Sequence, residues 1–198
     1  MSTTVVFVRH GSHDLLGTTL CGRMQGVSLN AQGRRQADAA AQRLRGLGLA
    51  ALYTSPRDRC RETAAPIAAA VGVEAVTEPA LDEIDFGDWS GARFDALEGR
   101  PDWTAWNTRR SAARPPNGET MDEARSRVTG WLDQARRRHP DATVAAVSHG
   151  DVIKAALLAA LGLGVDDFER IDVDPGGLST VVLGAWGMKV HSINEAAA

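Results

Sequence analysis

The chain has 198 residues, of which 43% are hydrophobic and 24% charged, with a formal net charge of −3. That length buries a full core and suits one domain over 1–198. The mild negative charge gives no sign of general affinity for nucleic acid or membranes, so an anion site has to be a local cluster of cations.

The first strand is predicted over 3–8 and ends at Arg9-His10-Gly11. A loop rich in glycine follows, and Asn30 is placed to cap a helix over about 31–46. Within it Ala37, Ala41 and Leu44 recur at helical spacing. The run 49–54 reads as a second strand stopped by Ser55-Pro56, with a helix over about 57–71 and a short β-branched strand over 73–76. From about 78 to 116 the composition changes to Trp, Gly and Pro, which reads as an irregular insertion with short helices whose tryptophans must pack. A long helix is predicted over 120–138, acidic at its start and ending in Arg136, Arg137 and Arg138, the order that suits the helix dipole. A strand over 143–147 ends at Ser148-His149-Gly150, a helix follows over about 151–161, and 179–183 and 189–193 form a terminal hairpin. Alternating strands and helices define an α/β layered domain.

No apolar run approaches the ~20 residues of a membrane span. The start of the chain has no basic segment followed by an apolar stretch and a small-residue cleavage site. Cys21 and Cys60 are too few and too far apart for a zinc knuckle or a redox pair. A cytoplasmic protein with free thiols is the expectation.

Two strands thus end at a histidine followed by glycine, and ligands in α/β sheets bind beyond the carboxyl ends of strands. Arg9 offers a fixed fork of donors suited to phosphate, a neutral His10 can be a covalent nucleophile, and glycine permits a sharp turn or a close approach to a ligand. Ser55-Pro56-Arg57-Asp58-Arg59 opens a helix, where backbone N–H groups favour an anion. Arginines there run against the dipole, which points to an acidic partner. Asp82, Glu83, Asp85 and Asp88 stand among large apolar groups, and a carboxyl desolvated in that way suits a general acid. Composition does not choose among the four.

Arg9-His10-Gly11, Ser55-Pro56-x-x-Arg59 with Thr63-Ala64, Leu81-x-Glu83-x-x-Phe86-Gly87-x-Trp89-x-Gly91 and Ser148-His149-Gly150 together resemble the histidine phosphatase superfamily, the phosphoglycerate-mutase-like proteins. Gly118-Glu119-Thr120 and Gly22-Arg23-Met24-Gln25-Gly26 are similar to further segments of that family. The resemblance implies an α/β three-layer sandwich, with a mostly parallel central sheet, helices on both faces and the insertion over the site. It also implies a metal-independent, cofactor-free phosphatase of the phosphatase branch, acting on a small phosphorylated metabolite. His10 would become phosphohistidine, and Glu83 would protonate the leaving oxygen and then help activate water. Arg9, Arg59 and His149 would hold the phosphoryl oxygens, with Gln25 and Gly150 also at the substrate. Nucleic-acid and membrane partners are not expected, and a homodimer is left open.

The sequence departs from the family at Ser12-His13-Asp14-Leu15-Leu16, where Glu-Thr and a phosphate-contacting asparagine are usual, and at Arg57, where an apolar residue is usual. His13 is read as bordering the pocket or not, and Arg57 as adding charge to the rim or facing solvent. The stretch around Glu83 is similar both to branches acting on α-ribazole phosphate and to broad-specificity phosphatases. The alternatives are a 2,3-bisphosphoglycerate-dependent phosphoglycerate mutase, a metal-dependent hydrolase using His10, His13, His149 and Asp151, and a non-catalytic phosphate-binding protein. His139 is read as a helix cap, His191 as structural, and Trp103 and Trp106 as packing residues.

Overall fold

The computed structural model describes residues 2–197. Among the described residues, six strands form one sheet in the order β3-β2-β4-β1-β5-β6. They are β1 (Ser2–Arg9), β2 (Ala51–Thr54), β3 (Ala75–Thr77), β4 (Thr143–Ser148), β5 (Leu178–Gly184) and β6 (Gly187–Glu195). β1 runs parallel to β4, β4 to β2 and β2 to β3, while β5 and β6 are antiparallel. The sheet is therefore mixed, its parallel part confined to the four strands joined by helical crossovers. β1 and β4 lie side by side at its centre, register Arg9↔Ser148, so the two His-Gly endings leave the same edge together.

Helices cover both faces, and strand alternation decides which residue meets which layer. Val6, Val8, Leu52, Ala145 and Val147 face α1 (Ala31–Leu44) and α2 (Asp58–Val71), packing on Ala40, Leu44, Cys60 and Ile67. Their neighbours Val5, Phe7, Tyr53, Val144 and Ala146 face the other way. There they join one core with residues of α5 (Met121–Arg138) and α6 (Gly150–Leu161), Trp131 and Ile153 among them. Caps behave as their residue types dictate. Asn30 Oδ1 accepts from the Gly33 N–H at 2.9 Å, and Thr120 and Glu123 form a reciprocal capping box.

Boundaries differ where an edge lacks partners. The third strand is Ala75–Thr77 and not 73–76, because Gly72 ends α2 at φ 73° and the edge strand pairs only from Ala75 onward. The insertion holds two short helices, α3 (Phe94–Leu97) and α4 (Pro101–Thr108), among single turns. Trp89 meets Trp103 and Trp106 edge-on, at centroid distances of 5.3 and 6.2 Å, so all three pack the insertion. His139 ends α5 and its Nε2 lies 2.8 Å from the Tyr53 hydroxyl. Among the described residues no helix is long and apolar enough to cross a membrane.

Candidate active site

At the carboxyl edge of β1 and β4 lies a cavity of about 310 Å³. Arg9, His10, Arg59, Glu83 and Gly150 are on its wall. β1 delivers the first pair. The His10 backbone N–H donates to Ser148 O at 3.0 Å, which locks the first strand ending to the second. Gly11 answers a packing need and not a ligand. A Cβ there would lie 2.4 Å from the carbonyl oxygen of Gly33 in α1, and one on Gly33 would lie 2.0 Å from Ser12 O. Two glycines thus let the loop after β1 rest directly on a helix. The Gly11 N–H donates to Thr63 Oγ1 of α2 at 3.0 Å, and that hydroxyl donates to Arg59 O at 2.7 Å.

His10 is buried, and its Nδ1 lies 2.8 Å from Gly11 O. A carbonyl only accepts, so Nδ1 carries the proton and Nε2 keeps its lone pair. The Arg59 Nε–H points at that lone pair from 3.3 Å. Burial first, then Arg59 and Arg9, holds the His10 pKa well below the usual histidine value, so the ring is neutral. Arg9 donates from Nη1 to Val173 O at 2.5 Å, and its guanidinium lies against Gly150, where a Cβ would stand 3.4 Å from Cζ. Arg59 donates from Nη2 to Gly22 O and His149 Nδ1, at 2.7 and 3.0 Å. Arg9 Nε and Arg59 Nη1 are buried with no partner. Unpartnered guanidinium donors at one cavity define an anion site.

His149 sits where β4 turns into α6, fully buried behind the cavity wall. Its ring stands 5.2 Å from that of His10, edge to face. Nδ1 accepts from Arg59, so Nε2 holds the proton and donates to Ser55 Oγ at 2.7 Å. Burial and then Arg59 lower its pKa well below the usual value.

The structure separates the four carboxylates. Asp82 pairs with Arg57 at 2.8 Å, Asp85 with Arg23 at 3.4 Å, and Asp88 accepts from Asn117 at 3.0 Å. Only Glu83 among them is on the cavity wall, its Oε2 3.6 Å from His149 Nδ1. Its backbone is pinned, with the N–H on Asp82 Oδ1 and the carbonyl taking the Arg23 Nε–H. Burial, and next the charge of Asp151, raises the Glu83 pKa to about 7.

Two predicted contributors fall elsewhere. Gln25 is exposed and lies off the cavity wall, because its turn faces outward beyond Met24. Arg57 neither charges the rim nor faces solvent, since it spends its guanidinium on Asp82 and on Arg23 O. Trp103 and Trp106 are also off the wall. Sequence reasoning missed Lys154, Asp172 and Asp174, which line the cavity together with Asp151. The one available signal was Asp151 and Lys154 at helical spacing after Gly150; nothing local marks Asp172 or Asp174. Among the described residues no group of three or more His, Cys, Asp or Glu side chains is arranged to hold a metal ion.

The fold and this constellation define an α/β protein with Arg9, His10 and Arg59 gathered on one cavity wall and His149 directly behind it. A profile of the histidine phosphatase superfamily (branch 1) matches residues 5–196. The chain belongs to that superfamily, a histidine phosphatase by family. It is 32% identical over 182 residues, 89% of this chain and 85% of the relative, to phosphoserine phosphatase 1 of Hydrogenobacter thermophilus. It is 34% identical over 196 residues, 98% of this chain, to a bifunctional protein of Mycobacterium tuberculosis, of which it spans only about half, 54%. A mycobacterial glucosyl-3-phosphoglycerate phosphatase shares the fold, with a TM-score of 0.88 over 98% of this chain and 99% of that one at 23% identity.

Proposed function

We propose that the chain hydrolyses a small phosphomonoester through a phosphohistidine on His10. One observation carries this reading. The Nε2 lone pair of a neutral, buried His10 is held beside the guanidinium of Arg59, in a cavity whose wall also holds a carboxyl group titrating near neutral pH. Nε2 attacks phosphorus while the bond to the leaving oxygen breaks, and Glu83 gives that oxygen its proton. Water then attacks phosphorus with Glu83 taking a proton, and the N–P bond breaks to release inorganic phosphate and free His10. Arg9 and Arg59 bear the charge of the phosphoryl oxygens throughout, which is the main demand of phosphoryl transfer. His149, behind Arg59 and Glu83, accepts from Arg59 at Nδ1 and so orients that guanidinium toward the same charge.

The cavity wall carries both signs beyond the arginines, with Lys154 as well as Asp151, Asp172 and Asp174. That lining suits a leaving group with its own charges, and the likeness to a phosphoserine phosphatase supports starting there. The test is a phosphomonoester panel led by phosphoserine, run with wild type and His10→Ala in a chelator. Wild type should release phosphate and form an acid-labile, alkali-stable phosphoenzyme, and His10→Ala should do neither. Equal rates for the two would sink the assignment. Rapid interconversion of phosphoglycerates stimulated by 2,3-bisphosphoglycerate would replace hydrolysis with a mutase reaction.

A further inference from the structure

We propose that His13 is a third imidazole at the phosphate, donating its Nε2–H to a phosphoryl oxygen of the substrate and of the phosphoenzyme. The proposal rests on the phosphatase reading above. His13 follows β1 in the loop that α1 holds in place. Ser12 N–H donates to Gln36 Oε1 at 2.8 Å, and Asn30 Nδ2 donates to Asp14 Oδ1 at 3.1 Å, so the residues on either side are pinned. The His13 side chain therefore has a built position. It is 6% exposed, on the cavity wall, with its ring centroid 5.4 Å from that of His10 and the planes tilted by 33°. His10 is thus flanked by two imidazoles, His149 edge-on and His13 beside it.

The two neighbours differ in one respect. Both nitrogens of His149 are engaged by Ser55 and Arg59, whereas neither nitrogen of His13 has a hydrogen bond, and Nδ1 is sealed from solvent. Burying an unpartnered polar ring costs free energy that a Leu or Phe of similar size would not incur. Packing against His10 does not account for it. With Nδ1 enclosed, Nε2 is the nitrogen left to meet what the cavity holds. Burial, then Arg59 and Arg9, brings the His13 pKa down to about 4 against the opposing pull of Asp14. The ring is neutral at physiological pH, keeps one N–H, and adds a donor to the oxygens without adding a charge that would repel the two arginines. A phosphoryl group carried on His10 Nε2 lies next to this ring.

The test compares His13→Phe, His13→Asn and wild type, each checked for folding by thermal melting, for the Kd of inorganic phosphate by calorimetry and for KM and kcat. Phe keeps the packing and loses the donor, while Asn keeps a donor. His13→Phe should weaken phosphate binding about tenfold or more, the worth of a hydrogen bond to a charged group, and His13→Asn should recover most of it. Wild-type affinity in His13→Phe overturns the proposal. If that variant does not fold, wild type decides. The ¹⁵N resonance of His13 Nε2, assigned by its loss in His13→Asn, should move on adding inorganic phosphate, and an unmoved resonance overturns the proposal. A wild type that binds no phosphate and hydrolyses no phosphomonoester overturns the phosphatase reading, whereas a competent wild type with indifferent His13 variants overturns this proposal alone.

Discussion

The hydroxyl of Ser55 lies 2.7 Å from Nε2 of His149, and the same oxygen is 3.3 Å from Oδ1 of Asp82. The hydroxyl accepts from the imidazole and donates to the carboxylate, so one short chain of hydrogen bonds sets the tautomer of a fully buried ring. Nδ1 is thereby the nitrogen turned toward Arg59 and Glu83. Asp82 Oδ1 also stands 4.0 Å from Nε2, on the Ser55 side of the ring.

Ser55→Ala should leave His149 in place and free its tautomer. The expected result is a fall in kcat of about tenfold or more, a hydrogen bond's worth of orientation, with a smaller change in KM. ¹⁵N NMR of the histidines should show mixed tautomers at His149. Unchanged kcat together with an unchanged tautomer would refute the relay.

On the proposed mechanism Glu83 should set the alkaline side of the pH profile. Its carboxyl has a pKa of about 7, so the acid form needed to protonate the leaving oxygen is lost above that pH, and kcat/KM should fall there. Glu83→Gln should lower kcat by about 10²–10⁴ for a poor leaving group and abolish this limb. The same shift acts on stability. The native carboxyl holds its proton up to about pH 7 while the unfolded one releases it from its ordinary value, 4.5. The native state therefore binds more protons across that interval, and stability falls as pH rises through it. Glu83→Gln should melt later than wild type at pH 8, by on the order of 2 kcal/mol. A lower melting temperature would contradict the desolvated carboxylate.

Arg110 tunes that group from a distance. It pairs with Asp151 at 2.9 Å, with its Cζ over the rings of Phe168 and Trp106 at 3.7 and 5.0 Å. Asp151 in turn is the leading charge that raises the Glu83 pKa. Arg110→Met removes the ion pair that holds Asp151, leaving only the weaker pull of Arg9 and Lys154 on it, so the alkaline limb should move to higher pH. Stability should fall by about 1–3 kcal/mol, since a largely buried cation is lost from its partner. A limb that moves down, or stays, would show that Asp151 does not reach Glu83.

Gly33 tests the loop seat. A Cβ there overlaps Ser12 O at 2.0 Å, backbone against backbone, so Gly33→Ala must push the loop bearing His10 and His13 off α1. The expected cost is about 2 kcal/mol or more, with kcat reduced alongside. Gly130, in the middle of α5 with nothing near its Cβ position, is the control. Gly130→Ala should be stabilising by about 0.5–1 kcal/mol.

Much of the site was legible without coordinates because it rests on local rules. A β-branched run that stops at Arg9-His10, another that stops at His149, and a strand-to-helix junction at Ser55 each place their residue by chain geometry alone. Sequence spacing with four carboxylates in seven residues does not say which one faces the cavity. That choice depends on Arg23 and Arg57, which claim Asp85 and Asp82 from positions 62 and 25 residues away. Gln25 sits in a motif of the right pattern and still points outward. His13 is indistinguishable in sequence from a surface histidine, and its burial on the cavity wall with Nδ1 unpartnered sets it apart.

By itself, then, the order of residues determined the alternating α/β architecture and the sheet edge at which Arg9, His10, Arg59 and His149 gather. Those follow from strand endings and helix starts, which the chain carries within a few residues. The tertiary structure alone decided the raised pKa of Glu83, the tautomers of His10 and His149, the placement of Gln25 off the cavity wall and that of His13, Lys154, Asp172 and Asp174 on it. Each of these depends on burial and on charges or hydrogen-bond partners contributed by distant segments, which no local pattern encodes.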